Sequence, residues 1–271
     1  PDLTILLEFP RFRMPGGNLT GCVQAQSHFG IGPFLMSGAA RGIPSTSGMT
    51  RSMPTVYFVR HGQTEFNLQR RLQGWNDSPL SAQGIAQARI LARALTPLGI
   101  QSALVSPLGR ARQTAAIIHE TAGIPLESTP ALREVSFGAF EGNTLDELEI
   151  HFPGMWAARM ADKWNYRPPR GESNAEAVPR AREVVRWIET HANGGPRLII
   201  AHFAINRIIL SLLADLSPEE TIEMNVPHTV IYRARKQDGK WLISHRDAED
   251  SQDEFQSGWL RQSDPAKPMG G

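Results

Sequence analysis

The chain has 271 residues, with 28 Lys plus Arg against 27 Asp plus Glu and a formal net charge of +1 at pH 7. Hydrophobic residues make up 41% and charged residues 20%, a globular balance; the even charge excludes a nucleic-acid binder working through bulk field but leaves room for a local basic pocket. One cysteine, Cys22, excludes an intrachain disulfide and a cysteine zinc site, and no apolar run approaches the roughly 20 residues a bilayer span needs, so a cytoplasmic, reduced α/β protein is expected.

Residues 1–52 read as a disordered extension. They hold 8 Gly and 5 Pro, and their apolar residues follow neither a period of 2 nor of 3.6. Leu3 to Leu7 is too short for a signal-peptide core and follows an acid. Asn18-Leu19-Thr20 matches a glycosylation sequon, which without a secretion signal is treated as chance.

A domain is expected over 53–247. Thr55 to Val59 is a continuous apolar run, as in a buried parallel strand, and it ends in Arg60-His61-Gly62. Ser81 is a good N-cap for a helix with Ile85, Ala88, Leu91, Ala92 and Leu95 on one stripe, closed by Pro97 and Gly99. Ser102 to Val105 is a second buried strand. Ser106-Pro107 reads as N-cap and N1 of the next helix, which stops at Gly123. Thr144 with Glu147, and Ser173 with Glu176, form capping boxes. The second opens a helix ended by Gly194-Gly195. Leu198 to Ala201 is a third buried strand, ending in His202 and feeding a helix from Ala204 to about Ala214. Thr229 to Arg235 and Trp241 to His245 form a late β pair around Asp238-Gly239. Residues 248–271 read as a flexible polar tail.

Strands alternate with helices, so a three-layer sandwich is expected, a mostly parallel sheet with helices on both faces. Ligands in such sheets bind beyond the carboxyl ends of the strands. The first strand delivers Arg60 and His61 there, the second Ser106 and, one turn on, Arg110, and the third His202. Arginine forks match phosphate oxygens. Histidine adds a nucleophile that works near neutral pH.

Arg60-His61-Gly62-Gln63-Thr64 with Asn67, Ser106-Pro107-Leu108-Gly109-Arg110-Ala111, Leu132-Arg133-Glu134 and the later His202 resemble the histidine phosphatase (phosphoglycerate-mutase-like) superfamily over about 55–245. Asp162 to Ser173, His202 to Arg207 and Pro227-His228-Thr229-Val230 are similar to the fructose-2,6-bisphosphatase branch. The resemblance implies a phosphomonoesterase that needs no metal or cofactor. Its catalytic residues fall on His61, Arg60, Arg110, Glu134 and His202. Substrate-binding positions fall on Asn67, Gln73 and Gly74, and a basic pocket for a second phosphate falls on Arg159, Lys163 and Arg207. Arg159 and Lys163, four apart, are expected on one helix face. Leu145 stands where that branch has Tyr, Phe203 where it has Gln, and Gln63 where the family usually has Glu.

In this chemistry Arg60, Arg110, His202 and Asn67 orient and neutralise the phosphoryl oxygens. His61 attacks in line to give a phosphohistidine. Glu134 protonates the leaving oxygen and then takes a proton from water. His228 reads as a structural loop residue as readily as a site residue. The expected partner is a small phosphorylated substrate, with sugar phosphates first, and no nucleic acid or membrane; assembly as a homodimer is left open. A mutase of the same fold is a rival. Such mutases carry a long insertion after the catalytic Glu, and only 38 positions separate Glu134 from Glu172. A phosphoryl-binding module without turnover is a second rival.

Overall fold

The computed structural model describes residues 53–250 and 254–262. The extension expected over 1–52, with its sequon and Cys22, lies outside them. The strands are β1 (Thr55–Arg60), β2 (Ser102–Val105), β3 (Leu126–Ser128), β4 (Arg197–Ala201), β5 (Val230–Gln237), β6 (Lys240–Asp247) and β7 (Gln256–Ser257). The helices are α1 (Glu65–Leu68), α2 (Ala82–Leu95), α3 (Gly109–Ala122), α4 (Leu145–His151), α5 (Met155–Ala161), α6 (Asn174–His191), α7 (Phe203–Ala214) and α8 (Pro218–Glu223).

Every residue of β1 is buried, so both its faces need cover. Val56 and Phe58 enter one core with Ala181, Val184 and Ile188 of α6 and Ile205 and Ile209 of α7. Tyr57 and Val59 enter the other with Leu91 and Leu95 of α2 and Ala115 and Ile118 of α3. The two-residue period of the strand thus divides its side chains between two helical layers. The architecture is the expected three-layer α/β sandwich. Strand order is β3-β2-β4-β1-β5-β6-β7. The first four strands are parallel, and β5 to β7 add an antiparallel edge.

Register positions the site. Arg60 pairs with Ala201 and Val105 with Ile200, so β1, β2 and β4 end level. The ladder runs one step further, with His61 N–H donating to Ala201 O at 3.0 Å and Ser106 N–H to Ile200 O at 3.0 Å. His61, Ser106 and His202 therefore leave the sheet side by side.

Three expectations are corrected. Ser106 is not the cap of α3: Leu108 is the N-cap, and Ser106 Oγ instead meets His202 Nε2 at 2.6 Å. Lys163 does not share a helix with Arg159. α5 ends at Asp162, whose Oδ1 accepts from Asn165 N–H at 2.9 Å and turns the chain. Finally, residues 254–262 are not a loose tail. β7 pairs with β6, Leu260 N–H donates to Tyr232 Oη at 3.1 Å, and Trp259 and Leu260 pack on the α6–α7 core. Among the described residues no helix is long and apolar enough to cross a membrane.

Removing residues 254–271 takes Trp259 and Leu260 away and uncovers the core surface on which they pack. Apolar burial of this size is worth about 2 kcal/mol, and a domain of this length shifts about 2–4 °C per kcal/mol. The melting temperature should fall by about 4–8 °C in calorimetry; an unchanged value would show that the segment contributes nothing to the folded state.

Candidate active site

His61 follows the end of β1, and its two ring nitrogens have distinct partners. Nδ1 lies 2.8 Å from Gly62 O, which can only accept, so Nδ1 carries the proton. Nε2 lies 3.2 Å from Arg110 Nε, which can only donate, so Nε2 presents a lone pair. Burial, reinforced by Arg110, His202, Arg60 and His228, holds the imidazole well below the usual histidine range. The ring is neutral and nucleophilic at Nε2. His228 Nδ1 donates to His61 O at 2.6 Å and so fixes the backbone beneath the ring.

Arg110 sits in the first turn of α3 and is buried. Besides His61, it donates to Gly74 O at 2.8 Å, Asn76 O at 2.9 Å and Asp77 Oδ1 at 3.1 Å. Asp77 also accepts from the N–H groups of Gly109 and Arg110, so it caps α3 and pairs the guanidinium at once. The 73–77 loop is itself fastened by Glu141, whose carboxylate accepts from the N–H groups of Trp75, Asn76, Phe137 and Gly138 and from Ser136 Oγ. Gly74 has φ +54, and a Cβ there would run into Glu141. Its part in the site is its carbonyl.

Arg60 is buried, and among the described residues it makes one long bond, Nη1 to Val226 O at 3.4 Å, and its Nε has no partner. Burial pulls its pKa down to about 10 despite the nearby Glu134. His202 closes the cluster, its ring centroid 5.0 Å from that of His61. Its Nδ1 is buried and, among the described residues, unpartnered, and burial with Arg110 and Arg60 beside it holds its pKa well below the ordinary value. Glu134 reaches the N-terminus of α7. Its Oε1 accepts from Val135, Ala204 and Ile205 N–H at 2.8, 3.2 and 3.1 Å, whereas Oε2 accepts from Ala204 N–H alone, at 3.1 Å.

Arg60, His61, Gly74, Arg110 and Glu134 line one open pocket, about 490 Å³ counted out into solvent, with Asn67, Arg71, Leu72, Gln73, Phe137, Phe203 and Ala204; His202 is buried beside His61 and does not line it. Asn67 Oδ1 accepts from Thr64 N–H at 3.0 Å in the capping box of α1, which leaves its amide N–H₂ for a ligand. Gln73 Nε2 donates to Thr64 Oγ1 at 2.6 Å, and its Oε1 is buried without a partner among the described residues. Gln63 accepts from Ser81 Oγ at 3.0 Å and does not line the pocket.

Arg159, Lys163 and Arg207 do not line it either; they gather behind its aromatic wall. The Arg159 guanidinium lies 5.0 Å from the Phe137 ring centroid and 5.2 Å from that of Trp156. Arg207 lies 5.1 Å from the Phe203 ring, and Arg60 lies 5.3 Å from the same ring. Burial lowers Arg159 and Arg207 to about 10, and both arginines depress Lys163 further after its own desolvation. Among the described residues none of the three forms an ion pair. Leu145 packs against the cluster of Leu72, Phe137, Phe140 and Leu148, the first two of which line the pocket, and does not line it itself.

The sequence reading missed Arg71, Asp77, Glu141, Glu172 and Arg180. Their signal is purely spatial: each holds a segment far from it in the chain, as when Arg71 Nη1 donates to Gly142 O at 2.6 Å or Asp77 caps α3.

Residues 56–248 match the model of the histidine phosphatase superfamily (branch 1). The chain is 35% identical over 193 residues to "Probable phosphoglycerate mutase GpmB" of Serratia proteamaculans, covering 71% of this chain and 89% of that one. It is 38% identical over 180 residues to 6-phosphofructo-2-kinase/fructose-2,6-bisphosphatase 1 of Rattus norvegicus, covering 65% of this chain and 36% of that longer protein. The structure of mycobacterial glucosyl-3-phosphoglycerate phosphatase in complex with VO3 is similar at a TM-score of 0.64 and 25% identity, over 70% of this chain and 96% of that one.

A buried guanidinium with one long bond costs stability until an anion arrives. Arg60→Met should therefore raise the melting temperature in phosphate-free buffer by a few degrees while cutting kcat by about 10²-fold, as for a lost oxyanion donor. Calorimetry beside a steady-state assay reads both; a lower melting temperature would mean that the native contacts of Arg60 already balance its desolvation.

Proposed function

The chain belongs to the histidine phosphatase superfamily, and we propose that it is a metal-independent phosphomonoesterase acting in the cytoplasm on small phosphorylated metabolites through a phosphohistidine. The observation that carries this reading is the state of His61: a buried neutral imidazole, its Nδ1 proton held by Gly62 O and its Nε2 lone pair turned to the guanidinium of Arg110.

A phosphomonoester dianion seated on Arg60 and Arg110 replaces water with fixed donors, and the unpartnered Arg60 Nε and His202 Nδ1 gain acceptors. His61 Nε2 then forms a bond to phosphorus as the bond to the leaving oxygen breaks. The electron pair stays on that oxygen, and Glu134 supplies its proton. Oε2, the less engaged oxygen of Glu134, is the one suited to that transfer. In the second step water attacks phosphorus and loses a proton to Glu134, and the P–N pair returns to Nε2. The arginines supply the charge neutralisation that a divalent cation supplies in other phosphoryl transfers.

Arg159, Lys163 and Arg207 support a preference for sugar phosphates with a second anionic group. Among the described residues these three cations form no ion pair, and Glu134 is the carboxylate that acts on the two arginines, so positive potential remains behind Phe137 and Phe203. The names of the rat bisphosphatase and the mycobacterial phosphatase agree with such a substrate class. The name of the Serratia relative favours a mutase instead. The product separates the two: free phosphate for a hydrolase, an isomeric phosphate ester for a mutase.

Brief incubation with labelled substrate and an alkaline quench should trap a base-stable, acid-labile phosphoprotein in the wild type and none in His61→Ala, and turnover should survive EDTA. Label on Ser or Thr, or activity lost to chelator and restored by Mg²⁺, would overturn the mechanism. Replacing Arg159 and Lys163 together by Ala should erase a preference for fructose 2,6-bisphosphate over a simple alkyl phosphate while sparing p-nitrophenyl phosphate. A wild type that treats both esters alike would remove the sugar-phosphate assignment.

A further inference from the structure

We propose that Arg180 and Glu172 are positioning residues for proton transfer by Glu134; this rests on the reading of Glu134 as acid and base given above. Neither side chain lines the pocket. Arg180 Nη1, from α6, donates to Ala131 O at 3.0 Å and Arg133 O at 2.6 Å, and its Nη2 donates to Glu134 O at 3.1 Å. The same guanidinium is gripped at both ends by Glu172, Nη2 to Oε1 and Nε to Oε2. Glu172 Oε1 in turn accepts from Ser136 N–H at 3.2 Å, and Glu172 N–H donates to Ser136 O at 3.0 Å.

One ion pair thus brackets Glu134 from residue 131 to residue 136, holding the carbonyls before it and the amide after it. The fork-on-fork geometry fixes direction as well as distance, which a lysine cannot reproduce. Both side chains are only 18% exposed, so the pair is not a solvated surface contact. Gly171 lets Glu172 approach, because a Cβ at 171 would collide with Ser136 O. The carboxyl of Glu134 is held by the N-terminus of α7 and its backbone by this clamp, so releasing the clamp shifts the acid against the leaving oxygen. Misplacement of about 1 Å costs up to about 10²-fold.

The test measures kcat/KM, which reports formation of the phosphoenzyme, across aryl and alkyl phosphates of graded leaving-group pKa. Arg180→Met, Arg180→Lys and Glu172→Gln are compared with wild type and with Glu134→Gln. Alkyl phosphate should lose about 10- to 100-fold, within the range of general acid catalysis, while p-nitrophenyl phosphate changes by less than about threefold, so the dependence on leaving-group pKa steepens. If Arg180→Met does not fold, Glu172→Gln and Arg180→Lys carry the same readout. Parallel losses across the series in folded variants, with Glu134→Gln steepening the slope, would overturn the positioning role alone. A wild-type slope in Glu134→Gln would overturn the acid role of Glu134 and the clamp with it.

Discussion

Positive charge is buried at the carboxyl ends of three parallel strands, and the rest of the molecule answers to it. Arg60 and Arg110 are nearly inaccessible, and His61 and His202 lie against them. The carboxylates that act on them are Asp77, Glu134 and Glu141. Desolvating a cation costs several kcal/mol unless a counter-charge is fixed nearby. The cluster lowers that cost in two ways. Both histidines stay neutral, and Asp77 is shared between Arg110 and the start of α3. What remains unbalanced at Arg60 and His202 is a demand for acceptor oxygens, which a phosphoryl group meets.

Holding such a cluster in one geometry takes a rigid frame. Level strand ends set His61, Ser106 and His202 side by side through the β1–β4–β2 register. Two acidic staples then fix the loops. Glu141 ties the 73–77 loop to the turn at 136–138 and so sets the carbonyls that receive Arg110. Glu172, through Arg180, holds the segment that carries Glu134. The Phe203 ring lies close to both Arg60 and Arg207, with its neutral π-face toward each guanidinium. Pocket arginine and outlying arginine are linked through that ring.

Much of this was legible before any coordinates. Strands buried on both faces announce themselves as apolar runs, which is why β1, β2 and β4 and the residues at their ends could be read directly. Capping boxes located α4 and α6 for an equally local reason. β3 escaped because Leu126, Glu127 and Ser128 are all exposed at the sheet edge and carry no apolar pattern. β7 escaped because Phe255, Trp259 and Leu260 are isolated among polar residues. α8 was within reach, since Ser217 and Glu220 form a capping box with Pro218 between them. Asp77, Glu141, Glu172 and Arg180 carry no local signature: each acts on a segment distant in sequence, and only the folded chain shows which one. Ser106 shows how a local signal misleads. Its spacing suits an N-cap, but α3 starts only after Leu108, and the Ser106 hydroxyl accepts from Leu108 N–H at 3.3 Å while it meets the buried His202.

Calorimetric titration of inorganic phosphate into the wild type tests the unbalanced charge most directly. Saturable binding at one site is predicted, competitive with p-nitrophenyl phosphate hydrolysis, with a rise in melting temperature and a large loss of affinity in Arg110→Ala. Absence of binding and an unchanged melting temperature at tens of millimolar phosphate would contradict the account, because the buried arginines would then be satisfied without an anion.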